Sequence, residues 1–230
     1  MAVTNVGAGA ERAARITGTI AMAVLALAAA PSFADRPKPN QRQIGDMTAQ
    51  CVVGAERPRV RALLSTLPGS PAELSAAKRL SATFAACSEG GYRLTAGRRG
   101  SGLFNGRADL AAAMALEAAD RGARARRGAP AWYLASVKTA SKGGFDPVML
   151  GVAEFGACVV AADPDHALAL VRAGAGGLDE SAAVTALRPA LAPCIAREQK
   201  LNFTRDELRL AVAEPLYHAL TGDNAPATAR

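Results

Sequence analysis

The sequence predicts an all-α fold: two disulfide-braced, multi-helix repeats packed as a pseudo-two-fold pair after a cleaved signal peptide. Three observations predict it. Half of the 230 residues are hydrophobic but only 4% are aromatic, so the core must be built from Ala, Leu and Val. Such a core suits closely packed helices, and few stretches alternate apolar with polar residues in the manner of half-buried strands. A cysteine-bounded segment also occurs twice, and an apolar leader precedes both copies.

The leader comes first in the chain. Arg12 and Arg15 give it a positive start, and no residue from Ile16 to Ala34 is charged. Its apolar heart, Ile20 to Ala30, is eleven residues long and is followed by Pro31. A membrane-crossing helix needs about 20 apolar residues. The shorter run fits the central region of a signal peptide, with Ser32-Phe33-Ala34 as the small-x-small cleavage site. Cleavage there makes Asp35 the mature N-terminus. An acylated start needs a cysteine just after the apolar run, and the first is Cys51. No later stretch is long and apolar enough to span a membrane, so the mature chain is expected to be soluble, in the periplasm or secreted.

The whole chain has 27 basic and 20 acidic residues, a formal charge of +7. Cleavage after Ala34 removes Arg12, Arg15 and Glu11, leaving +6 over residues 35–230. That length suffices for one or two small domains. Basic residues gather centrally: Arg93, Arg98, Arg99 and Arg107 flank a glycine-rich stretch, and Arg121, Arg124, Arg126 and Arg127 follow. Such a cluster can attract an anionic polymer. No nucleic-acid-binding motif accompanies it, and no stacking aromatics interleave with it.

The duplication carries the most information. Cys51 to Cys87 aligns on Cys158 to Cys194 without a gap, at a constant offset of 107. Twelve of the 37 positions are identical, among them Val52/Val159, Val53/Val160, Leu63/Leu170, Gly69/Gly176, Glu73/Glu180 and Leu80/Leu187. Chance gives roughly three or four in an Ala-rich chain. At an offset of 98 the match continues, pairing Leu103, Arg107, Leu110, Ala113 and Ala115 with Leu201, Arg205, Leu208, Ala211 and Ala213. The first copy therefore carries nine extra residues within 88–102, expected as a surface loop. Two copies are too few for a solenoid. The expected divisions are a signal peptide at 1–34, a first repeat at 35–122, a connecting segment with a short helix at 123–146, a second repeat at 147–220 and a tail at 221–230.

Local signals place the helices. Ser70-Pro71-Ala72-Glu73 is a capping box with proline at the first helical position. Behind it Leu74, Ala77, Leu80, Phe84 and Cys87 recur at spacings of three and four. Val184, Leu187, Leu191 and Cys194 repeat that face. Asp146-Pro147 opens the helix carrying Cys158, Asp163-Pro164 opens the next, and Thr204 to Glu207 is a second capping box. A helix from there to about Leu220 is expected to kink at Pro215. Another is expected from Pro130 to Ser141, with the single tryptophan, Trp132.

Four cysteines in an exported chain imply two disulfides, with three possible connectivities. Equal spacing favours Cys51–Cys87 and Cys158–Cys194 over cross-copy pairing. Each bridge then closes a loop worth about 4 kcal/mol by chain-entropy reasoning. The absence of Cys-x-x-Cys argues against a thioredoxin-like centre, and with two histidines in the chain and a compartment that favours oxidation of the thiols, a Cys/His zinc site is not expected. No metal or other cofactor is expected. Asp163, Asp165 and His166 lack the calcium-loop pattern and suit a helix start instead.

Ser75-Ala-Ala-Lys78 matches the Ser-x-x-Lys of acyl-serine enzymes, in which lysine activates serine across one helix turn. Neither Ser-Asp-Asn nor Lys-Thr-Gly accompanies it; Lys138-Thr139-Ala140 departs at the glycine. Gly97 to Gly106 fits neither phosphate-binding glycine motif. The duplicated Cys-Val-Val…Leu-Leu…Pro-Gly-Ser…Glu…Leu…Cys pattern resembles that of uncharacterised exported alphaproteobacterial proteins with a paired-cysteine unit, over about 46–116 and 151–220. The resemblance implies no activity, cofactor or catalytic residue. The second copy departs from it, with Ala175-Gly176-Gly177 in place of Pro-Gly-Ser.

The expected function is that of a non-enzymatic binding or structural component of the cell envelope, whose partner is an envelope protein or an anionic polymer. One alternative is a serine hydrolase or acyltransferase using Ser75 and Lys78. The other is a polyanion-binding protein using Arg98, Arg99, Arg124, Arg126 and Arg127.

Overall fold

The computed structural model describes residues 39–88, 106–125, 127–128, 132–134, 137, 144–174, 176–195 and 203–222. The chain divides into two units, Met1–Lys38 and Pro39–Arg230. The expected signal peptide, most of the glycine-rich stretch and the tail from 223 lie outside the described residues, as does most of the Pro130–Ser141 helix.

Within Pro39–Arg230 the described residues form seven α-helices and no strands: α1 (Gln41–Leu64), α2 (Pro71–Cys87), α3 (Gly106–Asp120), α4 (Pro147–Ala162), α5 (Pro164–Arg172), α6 (Leu178–Leu191) and α7 (Arg205–Thr221). The all-α expectation holds. Short polar side chains fix most of the helix starts, because the first backbone N–H groups of a helix have no partner within it. Asn40 and Gln43 form a reciprocal capping box at α1. Ser70 caps α2, Asp146 caps α4 and Asp163 caps α5. Thr204 and Glu207 form the second reciprocal box at α7, which runs from Arg205 to Thr221 with Pro215 inside it.

Both disulfides are the intra-segment ones: Cys51–Cys87, with Cα atoms 5.8 Å apart, and Cys158–Cys194, at 5.6 Å. Cys51 lies in α1 and Cys87 ends α2, whereas Cys158 lies in α4 and Cys194 ends the 3-10 turn after α6. Several local features recur 107 residues apart. The backbone leaves helical geometry at Glu56 (φ −137°, ψ 38°) and at Asp163 (φ −148°, ψ 77°). In α1 the break is one kinked helix containing Pro58, because proline lacks an N–H and crowds the preceding turn. At Asp163 it separates α4 from α5, which are bent by 114°. Gly69 (φ 75°) and Gly176 (φ 72°) hold the left-handed turns before α2 and α6, a region that glycine enters without a side-chain clash.

α3 and α7 make the most extensive helix pair and sit centrally, with α1 packed on α3 and α4 on α7. α2 packs on α1, and α5 packs on α6 and α7. One core joins Val52, Leu63, Leu80, Leu110, Leu170, Leu187, Val212 and Leu216. A smaller cluster gathers Leu67, Trp132, Tyr133, Leu150 and Ala153. From Leu208 to Leu220 every residue of α7 except Ala219 is buried, including Arg209, Glu214 and His218. A helix buried on all sides must find partners for any charge it carries, and those partners form the polar interior of the protein. No single helix among the described residues is long and apolar enough to cross a membrane. The two disulfides fit an oxidising compartment.

Candidate functional site

The most convergent polar cluster is built around Arg107, at the start of α3 and 5% exposed. Its Nε donates to Glu214 Oε2 at 2.8 Å, and its Nη1 donates to Glu73 Oε1 at 3.1 Å. Nη1 also donates to the Leu63 carbonyl and to Thr66 Oγ1, each at 3.0 Å. Nη2 donates to the Thr66 carbonyl at 2.7 Å and to Glu214 Oε1. One guanidinium thus joins the Thr66 N–H and hydroxyl at the Leu63 carbonyl, supplies the Thr66 carbonyl just past α1, and ties together α2, α3 and α7. Glu73 carries a second duty: its other oxygen accepts the Gly69 N–H at 2.6 Å.

Aromatic rings flank this centre. His218 stacks on Trp132 with centroids 4.2 Å apart, and its Nε2 is 3.7 Å from Glu214 Oε1. The Arg107 Cζ lies 5.9 Å from the Trp132 ring centroid, and Tyr133 meets that ring edge-on. Burial alone would raise the pKa of the Glu214 carboxyl, but the charge and hydrogen bonds of Arg107 outweigh it and hold the group below the usual carboxylate range. Burial likewise opposes the charge on Arg107, yet Glu214 and Glu73 carry its pKa above the ordinary value. The Tyr133 phenol is pushed up to about 12, chiefly by burial and then by Glu154.

A second set of ion pairs joins α1, α3, α6 and α7. Arg209 Nη2 donates to Asp46 Oδ1 at 2.7 Å, its Nε donates to the Val171 carbonyl at 3.3 Å, and its Nη1 lies 3.9 Å from Asp109. Arg42 pairs with Glu180 and donates to the Ala173 carbonyl at 2.8 Å. Glu180 also accepts the Gly176 N–H at 2.9 Å, as Glu73 does from Gly69. Burial would raise Glu180, but the Gly176 N–H and Arg42 hold it below its ordinary value.

Glu214 and Glu180 both have depressed pKa values in the folded state. Their stabilising contribution is therefore complete above the unfolded carboxylate range, near 4.5, and is lost as pH falls through the folded values. Denaturant midpoints should stay level from about pH 7 to 5 and fall steeply below about pH 4.5, read by tryptophan fluorescence. A midpoint that stays level through pH 3 would contradict this.

The sequence-predicted candidates lie elsewhere. Ser75 and Lys78 are on the exposed face of α2, and no described hydrogen bond joins them. Arg124 and Arg127 are exposed, and Arg127 is 3.9 Å from Asp163. Arg98, Arg99 and Arg126 fall outside the described residues. Neighbouring arginines pair with acids: Arg57 and Arg121 with Glu117, and Arg172 with Asp120. Asp163 caps α5 and holds His166 Nδ1 at 2.7 Å, the helix-start role expected for it. No group of three or more His, Cys, Asp or Glu among the described residues is placed to hold a metal.

Sequence reasoning missed the Arg107 centre because Arg107 stood among loop arginines. A usable signal was present: Arg209, Glu214 and His218 interrupt a stretch otherwise apolar on every helical face. A groove of about 330 Å³ opens beside the first disulfide, lined by Pro39, Ile44, Met47, Thr48, Cys51, Ala86 and Cys87. No family model matches the chain, and neither a curated protein nor a solved structure matches it.

Proposed function

We propose that this chain is an exported, non-enzymatic envelope protein: a duplicated helical scaffold, cleaved after Ala34, that binds a partner or serves a structural role. One observation carries the reading. The donors of Arg107 are all engaged by Glu73, Glu214, Thr66 and main-chain carbonyls. The strongest polar cluster therefore has no arginine donor left for a substrate and works as a joint between helices. The exposed, unconnected placement of Ser75 and Lys78 supports the same reading, since a serine nucleophile needs a base within hydrogen-bond reach. The matched bridges, backbone breaks and glycine turns 107 residues apart support the duplication and a pseudo-two-fold pairing.

The test pairs in-cell cross-linking of the exported protein with turnover assays on ester and cell-wall substrates and an acyl-serine probe. The expected result is a saturable, defined envelope partner, with no turnover and no label on Ser75. Turnover accompanied by labelling of Ser75 would overturn the proposal.

A further inference from the structure

The Cys51–Cys87 bridge does more than brace α1 against α2, because both cysteines line the open groove described above. Cys51 is exposed and Cys87 half-buried, as are Cys158 and Cys194 respectively, so it is the groove and not exposure that sets the first bridge apart. The remaining walls are Pro39, Ile44, Met47, Thr48 and Ala86, none of them charged. Met47 is 59% exposed at this groove, a large apolar side chain left in water. Disulfide exchange requires a thiolate to reach one sulfur of the bridge, so access and the character of the surroundings govern it. An open groove with uncharged, mainly apolar walls admits a neutral, apolar thiol more readily than a highly charged one.

We propose that Cys51–Cys87 is a thiol-exchange site, and that it takes a cysteine thiol flanked by apolar groups. The incoming thiolate attacks Sγ of Cys51. A new S–S bond forms, the Cys51–Cys87 bond breaks, and its electron pair leaves on Cys87 Sγ, which takes a proton from water. A second thiol of the same class then displaces Cys51 from the mixed disulfide. Two thiols are oxidised to one disulfide as the bridge is reduced to two cysteines. The opened form keeps its fold, because Leu80 and Phe84 hold α2 on the core from within.

The experiment uses the mature protein in native buffer with limiting thiol, quenched by alkylation and mapped by peptide mass. The two arms are a neutral cysteinyl peptide with apolar flanks and the charged tripeptide thiol glutathione. Cys51 and Cys87 should be labelled at least tenfold faster than Cys158 and Cys194, and faster with the neutral peptide than with glutathione at equal thiolate concentration. Helicity by circular dichroism should persist after the first bridge opens. Ala86→Trp, at an exposed position in the groove wall, should slow the first bridge severalfold and leave the second unchanged. Equal rates for the two bridges, faster opening of Cys158–Cys194, preference for glutathione, or indifference to Ala86→Trp would each overturn the proposal.

Discussion

Arg107→Met should cost about 3–5 kcal/mol of folding stability, the range for removing one partner from a buried ion pair. The loss arises in what remains behind. Glu73 and Glu214 are 5% and 8% exposed, and without Arg107 both carboxylates stay buried with their main countercharge gone. The Thr66 carbonyl loses its donor as well, while the Leu63 carbonyl keeps the Thr66 N–H and hydroxyl. Urea unfolding followed by the emission of Trp132, whose ring adjoins Arg107 and stacks on His218, reads the effect directly. Replacing the set together, as Arg107→Met with Glu73→Gln and Glu214→Leu, should recover much of the loss, because no unpaired charge is then left inside. Glutamine at position 73 can still accept the Gly69 N–H that Glu73 now takes. A loss below about 1 kcal/mol for Arg107→Met, the range of exposed pairs, would show that the cluster is solvated.

Gly156→Ala should be the most damaging single methyl in α4. A Cβ there would lie 2.0 Å from the Ala211 carbonyl oxygen and 3.1 Å from Pro215 Cγ, so α4 and α7 would have to move apart. Overpacking of this kind costs about 1–3 kcal/mol, and contact with main chain rather than a movable side chain puts it at the upper end. Helix propensity works in the opposite direction, favouring alanine over glycine by about 1 kcal/mol. Gly151→Ala in the same helix makes the contrast clean. Nothing lies within 4 Å of a Cβ built there, so only propensity acts and the variant should gain about 0.5–1 kcal/mol. Thermal or urea unfolding of the pair separates the two effects. Equal shifts for both variants would mean that the close crossing of α4 and α7 is absent.

These two sites also mark what the sequence makes legible. Ser70, Asp146, Asp163 and Thr204 announced their helices because capping is local: the side chain and the N–H it accepts lie within three residues. The disulfide pairing could be read because the equal spacing of 36 links Cys51 with Cys87 and Cys158 with Cys194. Arg107 could not be read in this way. Its partners, Glu73 and Glu214, are 34 and 107 residues away, and only the packing of α3 against α7 decides that its charge is buried. The groove was illegible for the same reason, since residues 39–51 and 86–87 meet only after α1 and α2 pack together. Nothing local to Gly156 in the sequence reports the approach of the Ala211 carbonyl. The candidates that a sequence motif supplied, Ser75 and Lys78, lie exposed on one turn of α2 with no described hydrogen bond between them.

We propose one exported scaffold of two helical units, each closed by its own bridge. A non-reducing peptide map of the protein recovered from an oxidising compartment tests it most directly. The expected map has a mature N-terminus at Asp35, one disulfide-linked peptide pair containing Cys51 and Cys87, and a second containing Cys158 and Cys194. A linkage of either Cys51 or Cys87 to Cys158 or Cys194 would contradict it.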